Sequence, residues 1–194
     1  MSRVWRWSVT AALYMGVAVL GGCGEEPRGE IAADWDGTGV GWTTGRVSRV
    51  PEVSREATLV GLAPVQEVRT ESHEGFDRMV VEIVGRGMPN YHVTYAEEPL
   101  RDCATGEPVE VEGVATLHVR LEPARAHDEN GRPLFVESAP ETGLPVLLDQ
   151  RLICDAEGSV EWALGVASRN EFRVLQLTEL NRIVIDVRHG SPPG

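Results

Sequence analysis

Arginine supplies the side chains best suited to recognition chemistry in this sequence. Arg78, Arg173, Arg182 and Arg188 fall in or beside short apolar runs, and Tyr91 and Tyr95 sit in another. A guanidinium pairs with a carboxylate through two parallel N–H bonds, and an aromatic ring offers a flat apolar face. Together they suit a carboxylated glycan or peptide, with Arg78, Arg173 and Arg182 as the first choices for ligand contacts. The same residues have a plainer use. Tyr91 and Tyr95 alternate with His92 and Thr94 as core residues would. The arginines can solvate an outer sheet face or pair with Glu82, Glu161 and Asp186. Catalytic patterns are lacking: His73-Glu74 has no second histidine at helical spacing, and no nucleophile elbow, phosphate loop or dinucleotide fingerprint occurs. The 5 histidines are scattered, and Asp128-Glu129-Asn130-Gly131 reads as a turn before it reads as a calcium loop. The expectation is a non-enzyme with no catalytic residues, metal or cofactor.

Cysteine chemistry is more specific. Arg3 and Arg6 precede an uncharged, mostly apolar run from Ser8 to Gly22, too short to span a bilayer comfortably. It ends in Leu20-Gly21-Gly22-Cys23, which resembles the bacterial lipobox. The peptidase cleft needs small residues before the cysteine. The resemblance implies a diacylglycerol thioether on Cys23, cleavage before it, and acylation of the new amino group by a palmitate-like chain. Two or three acyl chains anchor durably where one is marginal. Gly24 follows Cys23, as in lipoproteins exported to the outer membrane of two-membrane bacteria. Once Cys23 is lipidated, Cys103 and Cys154 remain. An even pair in an oxidising compartment reads as a disulfide.

Charge narrows the partners. The net charge is −12, and the first 22 residues carry Arg3 and Arg6 with no acid, so the remainder is more negative still. Phosphate repulsion therefore opposes nucleic acid and bare anionic membrane as partners. Lysine is absent, and all 18 basic residues are arginine. Residues 24–62 are glycine-rich and lack periodicity, which predicts a flexible tether of roughly 35 Å root-mean-square reach. Trp35 and Trp42 within it either stack on glycans or dock on the domain. The expected organisation is a signal peptide over 1–22, a tether over 23–62 and one domain over 63–190.

The domain must be made of strands. Phe76 to Val84 is short, β-branched and bounded by Gly75 and Gly85, with apolar residues on both faces, as in a central strand. Met79, Val81 and Ile83 point one way with Asp77. Val80, Glu82 and Val84 point the other with Arg78. Tyr91–Tyr95, Ala115–Leu121 and Val160–Val166 alternate as half-buried strands do. Val65–Thr70, Val109–Val111, Leu134–Val136, Val146–Cys154, Phe172–Leu177 and Ile183–Val187 are further candidates. Short strands separated by turn signals predict an all-β sandwich of two antiparallel sheets.

Six stretches carry a family resemblance: Glu-Gly-Phe-Asp-Arg-Met-Val-Val-Glu (74–82), Tyr-His-Val-Thr-Tyr (91–95), Pro-Ala-Arg-Ala-His-Asp (123–128), Cys-Asp-Ala-Glu-Gly-Ser-Val-Glu-Trp-Ala-Leu-Gly (154–165), Phe-Arg-Val-Leu (172–175) and Arg-Ile-Val-Ile-Asp-Val-Arg-His (182–189). They resemble the AMIN-like domain over about 64–190, departing at Ala156, where similar sequences usually show Phe. That domain occurs in bacterial secreted proteins and lipoproteins. Its namesake, the AMIN domain, is a two-sheet β-sandwich that targets cell-wall amidases and secretins to peptidoglycan. The resemblance implies an extracytoplasmic, lipid-anchored binding module for peptidoglycan or an envelope protein. The alternatives are a scaffolding lipoprotein without glycan affinity and, least favoured, a hydrolase with dispersed catalytic residues.

Overall fold

The computed structural model describes residues 41–49, 61–85, 87–134, 143–177 and 179–190. Ten strands run in chain order: β1 Val47–Arg49, β2 Ala63–His73, β3 Phe76–Ile83, β4 Asn90–Tyr95, β5 Ala115–Glu122, β6 Ala124–Arg125, β7 Leu147–Ala156, β8 Ser159–Val166, β9 Phe172–Leu177 and β10 Arg182–Arg188. They form two five-stranded sheets, ordered β1-β4-β5-β8-β7 and β6-β2-β3-β10-β9. No helix occurs among the described residues. All pairings are antiparallel except the two-residue contact of β6 with β2.

Period-two patterning sets the register. β3 is the middle strand of its sheet, with Met79, Val81 and Ile83 in the core beside Ile183, Ile185 and Val187 of β10. From the facing sheet, Val93, Leu117, Val119, Leu121, Trp162 and Leu164 fill the space between the layers. A one-residue slip of β3 would carry Arg78 into this core, so the apolar pattern fixes the pairing. Tyr91 and Tyr95 are core residues. The Tyr95 hydroxyl donates to the Asn170 carbonyl at 2.6 Å, and burial raises its pKa. Neither tyrosine is a glycan platform.

Three expectations need correction. Residues 41–49, placed in the tether for their glycines, belong to the sandwich. Val47 is buried, β1 pairs with β4, and Thr43 exchanges two backbone hydrogen bonds with Phe172 at the edge of β9. Val109–Val111 is not a strand: its segment meets the preceding chain in one bridge, Arg101–Pro108, closed by the Asp102 N–H to Glu107 carbonyl and Val109 N–H to Leu100 carbonyl bonds, and the pairing goes no further. Leu134 is an exposed bend, and 135–136 lie outside the described residues. So do 1–40, with the expected signal segment, Cys23 and Trp35, and 50–60 of the expected tether.

Cys103 and Cys154 are bonded, with Cα atoms 5.2 Å apart, which ties the β4–β5 connection to β7. That connection is also closed at its far end. A Cβ on Gly165 would sit 1.9 Å from the Glu112 carbonyl oxygen, so only glycine lets the loop backbone lie against β8.

Candidate functional site

Three surface features carry chemistry. The first lies on the outer face of the β6-β2-β3-β10-β9 sheet. Arg78, Asp186 and Arg173 occupy one rung across β3, β10 and β9. Arg78 donates from Nε to Asp186 Oδ1 at 2.6 Å and from Nη2 to Oδ2 at 2.9 Å, while Arg173 Nε donates to Oδ2 at 2.8 Å. Arg78 and Asp186 have no exposed surface. Arg78 is therefore a structural ion-pair partner and not a ligand contact, because a ligand would have to displace a buried carboxylate. Arg182 is apart from this group, four residues along β10, or roughly 13 Å. It pairs with Glu82 at 3.0 Å. The structure brings Arg173 together with Arg78 but leaves Arg182 elsewhere.

What gathers at Arg173 is aromatic. Trp42 lies with its indole centroid 4.6 Å from the Arg173 guanidinium and 4.4 Å from that of Arg188, within the range of cation–π attraction. Phe76 is 6.1 Å away, and His73 stacks on Phe76 at 5.0 Å. Trp42 is half-buried, and Arg188 is 42% exposed with Nη1 on Glu171 Oε2 at 2.6 Å. The alternation of β10 puts Arg188 on the same face as Asp186, and the Thr43–Phe172 pairing delivers Trp42 to it. Arg188 stood out in the sequence as a candidate ligand contact and Trp42 as a residue that stacks on glycans or docks on the domain, and here Trp42 docks. Their meeting was not visible there, since it depends on a two-residue pairing distant in sequence.

The second feature lies on the outer face of the other sheet. Ser48, His92, Arg120 and Glu161 share a rung of β1, β4, β5 and β8. Ser48 Oγ is 2.6 Å from His92 Nδ1, and His118 Nε2 is 2.7 Å from Glu161 Oε2. Burial lowers the His92 pKa below its ordinary 6.5, and the nearby Arg46, His118 and Arg120 lower it further. The hydrogen bond from His118 holds Glu161 below the usual carboxylate range. Both shifts act in one direction. Protons bind the unfolded chain more readily, so the stability from His92 is full above pH 6.5 and is lost as pH falls through its lower folded value. That from Glu161 follows at lower pH. The melting temperature of the wild type is expected to fall between pH 7.5 and 5.5, and that of His92→Gln to fall less. Equal falls in a thermal-shift titration would contradict this.

The third feature is a cavity of about 580 Å³ between the β4–β5 connection and the start of β5. Leu100, Val109, Val111 and Val114 give it apolar walls, and Glu97, Glu98 and Glu110 give it carboxylates. It holds no histidine. The close histidine–carboxylate pairs among the described residues, His73–Glu71, His118–Glu161, His127–Asp155 and His189–Asp77, all lie outside it. The dispersed-hydrolase alternative gains no site from it. Among the described residues, no three metal-binding side chains converge.

A family model for the AMIN-like domain matches residues 63–189. Neither the curated proteins nor the solved structures yield a match to the chain.

Proposed function

The chain belongs to the AMIN-like domain family, and from that premise we propose that it is a non-catalytic, lipid-anchored binding module of the bacterial cell envelope that recognises peptidoglycan. One arrangement carries the reading: a half-exposed indole flanked by two guanidiniums on an outer sheet face. An indole offers a sugar ring an apolar surface, and a guanidinium takes a carboxylate in two parallel hydrogen bonds. Carboxylates and sugar rings occur together in the cell wall. Arg188 suits this role better than Arg182. Its pair with Glu171 is partly open to solvent, unlike the fully buried Arg78–Asp186 pair, so it is more readily exchanged for a ligand carboxylate. Arg173 packs on the indole at 4.6 Å from its centroid while held on Asp186. The acidic chain repels anionic wall polymers in general, so affinity has to come from such specific contacts.

Co-sedimentation with purified sacculi tests the proposal. The wild type is expected in the pellet. Arg188→Ala is expected to weaken binding by about 1.5–3 kcal/mol, the range for hydrogen bonds to charged groups, and Trp42→Ala by a comparable amount. Arg182→Ala is expected to bind as the wild type does. If the wild type stays in the supernatant, the peptidoglycan reading fails, and a scaffolding role takes its place. If it binds and neither Arg188→Ala nor Trp42→Ala weakens it, the ligand stands and the site does not. The proposed anchor is read separately: Cys23→Ser is expected to yield a chain without acyl mass, and an unlipidated wild type would remove the anchor from the account.

A further inference from the structure

One rung beyond the Arg78–Asp186–Arg173 ion pairs, the outer face of the β6-β2-β3-β10-β9 sheet holds an apolar patch that none of the ten described strands covers. Arg69, Val80, Val184 and Leu175 form that rung across β2, β3, β10 and β9, and Glu67, Glu82, Arg182 and Leu177 form the next. Period two puts them on the face of Arg78, away from Met79 and Ile185. Yet Val80 and Val184 have no exposed surface, and Leu175 and Leu177 keep only 2% and 5%. The stems of Arg69 and Arg182 shield the middle of the patch while their heads stay near Glu82. Leu175 and Leu177 lie on an edge strand and receive such shelter from one side only. We propose that this face is the docking surface for residues 34–40 of the same chain, with the Trp35 indole laid over Val80, Val184 and Leu175.

The direction of the chain leads there. The Thr43–Phe172 bridge is isolated, so residues 41 and 42 do not continue a ladder along the β9 edge. Trp42 instead turns onto the outer face, where its indole lies over Arg173 and Arg188. Trp35 stands seven residues before Trp42, and extended chain of that length spans roughly 23–25 Å. β3 lies two strands in from β9, roughly 10 Å, and Val184 lies two residues along β10 from Asp186, roughly 7 Å. Trp35 therefore reaches the patch with chain to spare.

The composition of the segment matches the face. Trp35 stands between Asp34 and Asp36, and Val40 closes the segment. The indole supplies apolar cover, and the two carboxylates meet a rim of Arg69, Arg78, Arg173 and Arg182. Arg78 and Arg173 each make an interaction beyond their bonds to Asp186 and their aromatic contacts. Nε and Nη2 of the buried Arg78 are already on Asp186, and a carboxylate brought in by this segment suits what remains of its guanidinium. The docking stands whatever ligand Trp42 takes. For an anchor at Cys23 it leaves residues 24–33 as free tether, a reach of roughly 18 Å, which holds the domain close to the membrane.

Methyl-labelled full chain followed by NMR tests the docking. Nuclear Overhauser contacts are expected from the Trp35 indole to the Val80, Val184 and Leu175 methyls, unchanged on dilution. In Trp35→Ala those methyls are expected to lose their ring-current shifts and to relax severalfold faster in a neutral gadolinium chelate, while the core methyls of Val119 and Leu164 keep their protection. Trp35→Phe, which retains an apolar ring, is expected to preserve most of the cover. The wild-type contacts decide the matter even where a variant fails to fold. No contact from Trp35 to these methyls, or methyls that stay protected in Trp35→Ala, would overturn the proposal and assign the cover to another part of the chain. Contacts that vanish on dilution would overturn it in favour of a second copy.

Discussion

Asp186→Ala is expected to cost about 3–5 kcal/mol of folding stability, the range for removing one partner of a buried ion pair. Asp186 is the common acceptor of a three-strand rung, and both of its oxygens are used by Arg78 and Arg173. Alanine there leaves the Arg78 guanidinium buried without the carboxylate that its Nε and Nη2 both reach. Asp186→Asn keeps the shape but loses the charge, and is expected to fall between the wild type and alanine. The double replacement Arg78→Met with Asp186→Leu removes the charged pair together and is expected to cost less than Asp186→Ala alone, since the penalty lies in the stranded charge rather than in a missing attraction. Urea denaturation with linear extrapolation reads each value. A loss below about 1 kcal/mol for Asp186→Ala would place this pair with exposed ion pairs and contradict its burial.

The second large effect is at the disulfide. Replacing Cys103 and Cys154 together by alanine is expected to destabilise the domain by about 4 kcal/mol at most, from the chain-entropy term for a separation of 51 residues. The folded loop keeps other ties, since the Cys103 amide still reaches the Ile153 carbonyl and Asp102 still organises its turn. Most of the loss therefore falls on the unfolded chain, which regains the freedom the bond removes. Denaturant midpoints of the native and reduced wild type give the same comparison without a mutation. A reduced protein with both thiols alkylatable and an unshifted midpoint would contradict it.

Much of the sandwich was legible because its central strands follow simple rules. The alternation in β4, β5 and β8 and the two-sided apolar run in β3 are local, and each is short enough to read from neighbouring residues. The cysteine pair was legible from chemistry alone. What escaped depends on partners far along the chain. Arg78 looks like a surface charge until β10 brings Asp186, 108 residues away, onto its rung. β1 has only three residues and one buried side chain, too little pattern to separate it from a tether, and its place is fixed by Thr43 meeting Phe172 and Val47 meeting Val93. The Val109–Val111 alternation misled because the pairing it would need ends after a single bridge and the Val109 N–H to Leu100 carbonyl bond. The proposed recognition residues were half visible. Arg173, Arg188 and Trp42 have the right chemistry in the sequence, but only the fold separates them from Arg78, which is buried, and from Arg182, which belongs to another pair.

The proposed binding of a peptidoglycan fragment at Trp42, on the outer face of the β6-β2-β3-β10-β9 sheet, has a direct spectroscopic test. Indole N–H resonances give the most direct measurement. Trp42 and Trp162, each assigned by its Trp→Phe substitution, are followed while soluble disaccharide-peptide fragments of the wall are added. The Trp42 resonance is expected to shift saturably, while that of Trp162, fully buried in the core, stays in place. A Trp42 resonance that does not move under saturating fragment, or moves only together with Trp162, would contradict the account.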